Sequence, residues 1–190
     1  MKTFFWKDRT FEGHALIEMP CGTGKTMTLL SFLVAYKRHS PASLSKIVYC
    51  TRTVPEMLKV QEELRDLVKY YNENSAPLDL LSVCLSARQN MCCNNDVLNS
   101  SSSRLEVDSE CRRRTATFAR KSAKMSPSEN KPTCSYFETL QQKTLSDVMP
   151  RAIYSLEDLK DFGMDAGLCP YFAAREAITL ADVVVYRLQF

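Results

Sequence analysis

The run Gly22-Thr23-Gly24-Lys25-Thr26 narrows the possible folds more than any other part of this chain. It stands between a short, mostly apolar run at residues 14–19 and a helical pattern over residues 26–38, whose apolar face comes from Leu29, Leu30, Leu33, Val34 and Tyr36. Strand, glycine-containing loop and helix in that order turn the loop amides and the helix N-terminus toward one point. There they present positive partial charge to phosphate. Lys25 then reaches the β- and γ-phosphates and the Thr26 hydroxyl holds Mg2+, so Gly22, Thr23, Gly24, Lys25 and Thr26 read as a site for ATP. The longer form of this pattern begins with a glycine where the chain has Met19. The plain alternative is a glycine-rich turn with a solvated lysine.

The rest of the first half repeats the alternation. Residues 46–51 are rich in β-formers. Residues 54–70 carry Leu58, Leu64, Leu67 and Val68 at helical spacing, and residues 78–85 read as a third strand. Further on, residues 155–162 and 170–180 read as helices and residues 182–186 as another buried strand. Strands and helices alternating with short connections predict an α/β fold with a parallel sheet. Periodicity does not fix the strand order.

At Ser86 the character changes. To about Pro150 the chain is polar, poor in long apolar runs and rich in Cys, Arg and Ser, with loop-like stretches at residues 99–103 and 126–132. Something besides an apolar core must hold such a region, and cysteines gathered on a metal could do so. Of the eight cysteines, Cys21, Cys50 and Cys84 lie in the α/β portion and read as small apolar fillers. Cys92, Cys93, Cys111, Cys134 and Cys169 fall in or bound the polar segment. No two are spaced as C-x-x-C, which weakens a zinc-ribbon reading. Four single thiolates on different elements suit a cubane cluster, whose irons each take one sulfur. Reduced structural thiols are the alternative, and spacing does not choose between the adjacent Cys92 and Cys93.

Charge says less. The net charge is +3 over 190 residues, but residues 88–131 hold nine basic side chains against five acidic ones, a surface that suits either solvent or an acidic polymer. The apolar start is interrupted by Lys7, Asp8 and Arg9, too soon for a signal-peptide core, and no membrane span is present. The chain is therefore read as intracellular and its cysteines as thiols.

Together these stretches resemble the XPD (xeroderma pigmentosum group D) family of superfamily 2 iron–sulfur DNA helicases from about Gly13 to Tyr186. "LIEMPCGTGKT" is similar to the family's first motif and "IVYCTRTVPEMLKVQEEL" to its motif Ia. "LSARQNMC", "CPYFAAREAI" and "ADVVVY" resemble the boundaries of its cluster domain. Sister helicases carry His-Ser-Gln where Val54-Pro55-Glu56 stands here, which points to XPD within the group. The resemblance implies a partial RecA-like P-loop sheet with an inserted 4Fe–4S domain. Residues 1–87 would be the first part of the motor domain, 88–170 the cluster insertion and 171–190 the return into the sheet. It further implies cluster ligands Cys92, Cys111, Cys134 and Cys169, with Cys92 preferred over Cys93 because the family ligand follows an Arg-x-Asn-x run, here residues 88–91. Thr51, Arg52, Thr53 and Arg88 would lie along single-stranded DNA, whose phosphates arginines and hydroxyls grip without reading bases. For Arg112, Arg113, Arg114 and Lys121, DNA contact and a solvated surface are equal readings.

The implied function is ATP-dependent 5′–3′ unwinding in nucleotide-excision repair and in transcription factor TFIIH, in the nucleus, with TFIIH subunits as partners. Two departures qualify it. No Asp-Glu-x-His sequence, which would hold Mg2+ and the attacking water for hydrolysis, occurs in the chain, and no second motor domain follows. A truncated product, with no steady ATPase of its own, is the expectation. The alternatives are a non-catalytic iron–sulfur module that binds single-stranded DNA and another P-loop NTPase with a zinc insert.

Overall fold

The computed structural model describes residues 18–20, 22–74, 77–125 and 133–188. The expected first strand falls mostly outside these residues, as do Cys21 and the loop-like stretch 126–132. The helix after the phosphate-loop motif is α1 (Lys25–His39). It buries Leu30 and Val34 one turn apart and carries Lys37 and Arg38 in its last turn, where cations suit a helix C-terminus.

After α1 come β1 (Ile47–Thr51) and α2 (Val54–Glu73). The Thr53 hydroxyl accepts the Glu56 N–H at the start of α2, Pro55 sits in its first turn, and Met57, Val60, Gln61, Leu64 and Leu67 form its buried stripe. The chain then passes through β2 (Ser82–Leu85) into the polar region. That region is helical: α3 (Arg88–Met91), α4 (Asn95–Asn99), α5 (Arg104–Thr115), α6 (Thr117–Met125), α7 (Ser135–Leu140) and α8 (Leu145–Val148). The last part of the chain holds β3 (Ile153–Tyr154), α9 (Leu156–Ala166), α10 (Pro170–Glu176), a 3-10 turn at Ala177–Thr179 and β4 (Val183–Arg187).

The four strands form one parallel sheet in the order β1-β4-β2-β3. The strand that comes last in the chain therefore lies between β1 and β2, and its Val183, Val184 and Val185 are all buried, as a central parallel strand requires. Between the neighbouring strands β2 and β4 the chain leaves the sheet at residue 86, returns briefly as the edge strand β3, and re-enters at Val183. Met91, Leu140, Leu145 and Met149 from that excursion join the same apolar core as α1, α2 and the sheet.

Three expectations are corrected. The strand predicted over 78–85 begins only at Ser82, because Leu81 is engaged by Asp182: its N–H donates to the Asp182 carboxylate and its carbonyl accepts the Asp182 N–H. The helix predicted over 170–180 stays α-helical only to Glu176 and tightens into the 3-10 turn, which satisfies end carbonyls. Cys84 is a buried filler, but Cys50 is exposed, since it shares with Val48 the open face of β1 while Ile47 and Thr51 point inward.

Candidate functional site

The phosphate-loop motif has the backbone its chemistry needs. Gly22 and Gly24 both adopt left-handed φ, 79° and 70°, which lets the chain wind tightly into α1. No side chain caps α1, so its first N–H groups stay open to the loop. The Lys25 ammonium is folded onto that loop, donating to the Met19 carbonyl at 3.0 Å and the Pro20 carbonyl at 2.8 Å. The Thr23 hydroxyl donates to Pro20 as well, at 2.8 Å.

The motif after β1 divides by side chain. Thr51 is buried, with its hydroxyl directed at the Thr53 carbonyl 3.2 Å away. Thr53 is the α2 cap. Arg52 extends into solvent and is bonded to Glu56 at 2.8 Å; Glu56 is held below the usual carboxylate range chiefly by that guanidinium bond.

Cys92, Cys111, Cys134 and Cys169 arrive on four separate elements, at the end of α3, within α5, before α7 and before α10. Phe137 joins Cys134 and Cys169 in a small buried cluster, its ring 4.6 Å from that of Phe172. The Cys169 N–H donates to the Tyr136 carbonyl at 3.0 Å, tying α7 to α10. Asn94 bridges two of the sulfurs, its main-chain carbonyl 4.0 Å from Cys92 Sγ and its amide 3.6 Å from Cys134 Sγ. Burial raises the thiols of Cys92 and Cys111 and pushes that of Cys169 up to about 12. Cys93 is also half-buried and near Cys92 and Cys134, and burial pushes its thiol up to about 12. Asn94 and Arg88 reach the sulfur set too. The Asn94 amide donates to Cys134 Sγ, and the Arg88 charge works against burial to lower the Cys111 thiol.

This donor set has a definite bearing on what it can hold. Among the described residues no three Cys, His, Asp or Glu side chains stand close enough to share one metal ion. Thiolates around a single zinc lie roughly 3.8 Å apart, from Zn–S bonds of about 2.3 Å in a tetrahedron. A cubane spreads its four sulfurs farther, one to each iron. Cys111, Cys134 and Cys169 are buried and Cys92 is half-buried, so these single thiol donors are largely shielded from water.

Beside the sulfurs lies a cleft of 340 Å3 at the carboxyl ends of β2 and β4, lined among others by Arg88, Arg104, Arg175, Arg187 and Tyr171. Arg88 pairs with Asp108 at 3.5 Å and lies 4.3 Å from the Tyr171 ring centre; Arg175 covers the same ring at 3.4 Å. The cleft shares the sheet edge where β1 delivers Thr51 and Arg52, since the Leu188 N–H donates to the Thr51 carbonyl at 2.9 Å. Ligands of open α/β sheets gather at that edge. Arg175 and Tyr171 were missed in the sequence, although their i, i+4 spacing directly after Cys169 was a usable signal. Part of the basic character of residues 88–131 is consumed internally: Arg114 is buried against Glu110 at 2.7 Å, and Arg120 pairs with Glu138. Arg112 and Lys121 are exposed.

The DEAD_2 family matches residues 49–190, from β1 through the cysteine region to β4. The chain belongs to the DEAD_2 family. Within it the chain is of XPD type. It is 42% identical over 180 residues to the general transcription and DNA repair factor IIH helicase subunit XPD of Arabidopsis thaliana, and 35% identical over 179 residues to the XPD/RAD3 subunit of Saccharomyces cerevisiae. Each match covers 94% of this chain and 23% of the relative. The human regulator of telomere elongation helicase 1 is 23% identical over 211 residues, 90% of this chain and 15% of the relative. The higher identity to XPD subunits agrees with Val54-Pro55-Glu56 after the first β-strand. The chain thus spans less than a quarter of the length of these XPD relatives. The parallel α/β sheet agrees with a RecA-like helicase domain. Among the described residues no helix is long and apolar enough to cross a membrane.

Proposed function

We propose that this chain is the ATP-phosphate and iron–sulfur part of an XPD-type, ATP-dependent 5′–3′ DNA helicase that acts in nucleotide-excision repair and in TFIIH, in the nucleus. The observation that carries the reading is the buried cluster of Cys134 and Cys169, joined to Cys92 through Asn94, next to an arginine-lined cleft. These thiolates, with that of Cys111, would hold a 4Fe–4S cluster, which would supply a covalent brace joining α3, α5, α7 and α10. Arg52 and Arg88 would bind the backbone of single-stranded DNA, with Thr51 and Thr53 shaping the turn that aims Arg52. Gly22 to Thr26 would bind ATP phosphates and Mg2+. TFIIH subunits are the partners that the relatives' names suggest.

With no Asp-Glu-x-His in the sequence, the chain alone is expected to bind nucleotide without turning it over. The test is anaerobic purification followed by iron and sulfide analysis. About four of each per chain and a brown solution are expected, with Cys111→Ser and Cys134→Ser colourless. A colourless wild-type chain holding one zinc defeats the cluster assignment. Fluorescence anisotropy on single-stranded DNA, with and without an ATP analogue, separates the helicase part from a plain binding module: only the former changes affinity with nucleotide.

A further inference from the structure

The bend between α3 and α4 carries a side chain whose two ends do different work. Asn94 is buried, and its Oδ1 accepts the N–H groups of Asp96 at 2.9 Å and Val97 at 3.4 Å, capping α4. That commitment orients the amide. With the oxygen turned to the helix, Nδ2 can face only the other way, where it meets Cys134 Sγ at 3.6 Å. Its main-chain carbonyl lies 4.0 Å from Cys92 Sγ, so the same residue touches two of the four cysteines. A cap alone needs only an acceptor oxygen, and Ser or Asp would serve as well. A donor pointing at sulfur is what distinguishes asparagine here.

We propose that Asn94 sets the reduction potential of the cluster bound at these cysteines by donating a hydrogen bond to the Cys134 sulfur; this rests on the cluster reading above. Hydrogen bonds to ligating sulfurs are among the levers that tune such potentials. When a low-potential one-electron donor such as dithionite gives up one electron, negative charge on the sulfurs increases. The Asn94 N–H bond to Cys134 then strengthens, favouring the reduced form and raising the potential. Charge-assisted donors are the stronger ones, and the site is shielded from water, so the effect is not diluted.

The experiment is a dithionite titration of the full chain, reconstituted with ferrous iron and sulfide, read by visible absorption and by the resonance signal of the reduced form. Asn94→Ser keeps the cap oxygen but is too short to reach Cys134. Asn94→Asp keeps the cap and replaces the donor with a carboxylate. Both are expected to retain iron, sulfide and wild-type melting. Their midpoints are expected to be more negative than wild type, the Asp variant more so. Fully loaded variants with the wild-type midpoint overturn the proposal. So do variants that lose their iron, which would make Asn94 a structural residue only. A wild-type chain that takes up no iron and sulfide overturns the cluster reading and this inference with it.

Discussion

Asp182 Oδ1 stands 3.1 Å from Lys37 Nζ, linking the helix that follows the phosphate-loop motif to the turn that leads into the central strand. The other carboxylate oxygen accepts the Leu81 N–H at 3.0 Å and pairs with Arg151. One side chain thus joins α1, the start of β2 and the segment before β3. Both partners of the ion pair are mostly shielded, at 17% and 16% exposure. Removing Asp182 leaves the largely desolvated Lys37 ammonium with only the Leu44 and Ser45 carbonyls and takes the acceptor from the Leu81 N–H. Asp182→Ala is expected to destabilise the chain by about 3 kcal/mol in urea unfolding. Asp182→Asn, which keeps an acceptor for Leu81, should fall between. A change below about 0.5 kcal/mol would remove Asp182 from this role.

Gly163 offers a steric test of how Cys169 is positioned. A Cβ there would meet the Leu168 carbonyl oxygen at 2.7 Å and Pro170 Cδ at 2.8 Å, with Pro170 Cγ nearer still. Backbone and a proline ring cannot yield cheaply. Gly163→Ala is expected to cost about 2–3 kcal/mol despite alanine's better helix propensity. Because Leu168 and Pro170 flank Cys169, iron retention should fall with it. Wild-type melting and iron content in this variant would mean that α9 and α10 have room to separate.

These two sites show what the sequence could and could not reveal. The helices α1 and α2 and the strands β1 and β4 were legible because their apolar residues repeat at 3.6 or run continuously over four positions. β3 was not, because Ile153 and Tyr154 carry no period of their own and become a strand only by pairing with Ser82 and Val83. Nor was the insertion of β4 between β1 and β2, which depends on contacts between residues far apart in the chain. The cysteines announced themselves by type and by their setting in a core-poor stretch. Their company did not: the partner of Asn94 lies forty residues away, and Asp182 reads in the sequence as an ordinary acidic residue before a strand.

The start of α9 predicts a response to acid. Asp158 accepts the Ser155 N–H at 2.6 Å, donates its own N–H to the Ser155 hydroxyl at 3.2 Å, and pairs with Arg65. Burial pushes its carboxyl up, but the Ser155 donors and the Arg65 charge together outweigh this and hold it below its usual value. A depressed folded value means that the ionised form stabilises the fold. That contribution is complete above about pH 4, the unfolded value, and is lost as pH falls through the lower folded one. The carboxylate is 43% exposed, so solvent screening keeps the effect below about 1 kcal/mol. Urea midpoints of Asp158→Asn should therefore decline less than wild type between about pH 5 and pH 2. Parallel declines would show that the box contributes no acid sensitivity.

The sharpest test of the nucleotide site uses the same lysine contacts that close the loop. Lys25 is exposed, and its ammonium rests on the Met19 and Pro20 carbonyls. A triphosphate must draw it away from these neutral acceptors, and the exchange is favourable because a phosphate oxygen carries full charge. Lys25→Ala removes two exposed bonds to carbonyls and no buried area, so melting should move little. Affinity for a non-hydrolysable ATP analogue with Mg2+ should fall at least about a hundredfold, the ~2.7 kcal/mol reasonable for one charge-assisted contact to phosphate. Gly24→Ala separates geometry from charge. Nothing lies within 4 Å of the added methyl, yet φ is 70°, so the cost is about 1–2 kcal/mol of backbone strain rather than a clash. Weaker analogue binding is expected there with Lys25 intact. Isothermal titration of the three proteins decides the matter: equal affinities in all of them would mean that residues 22–26 are a turn and not a phosphate cradle.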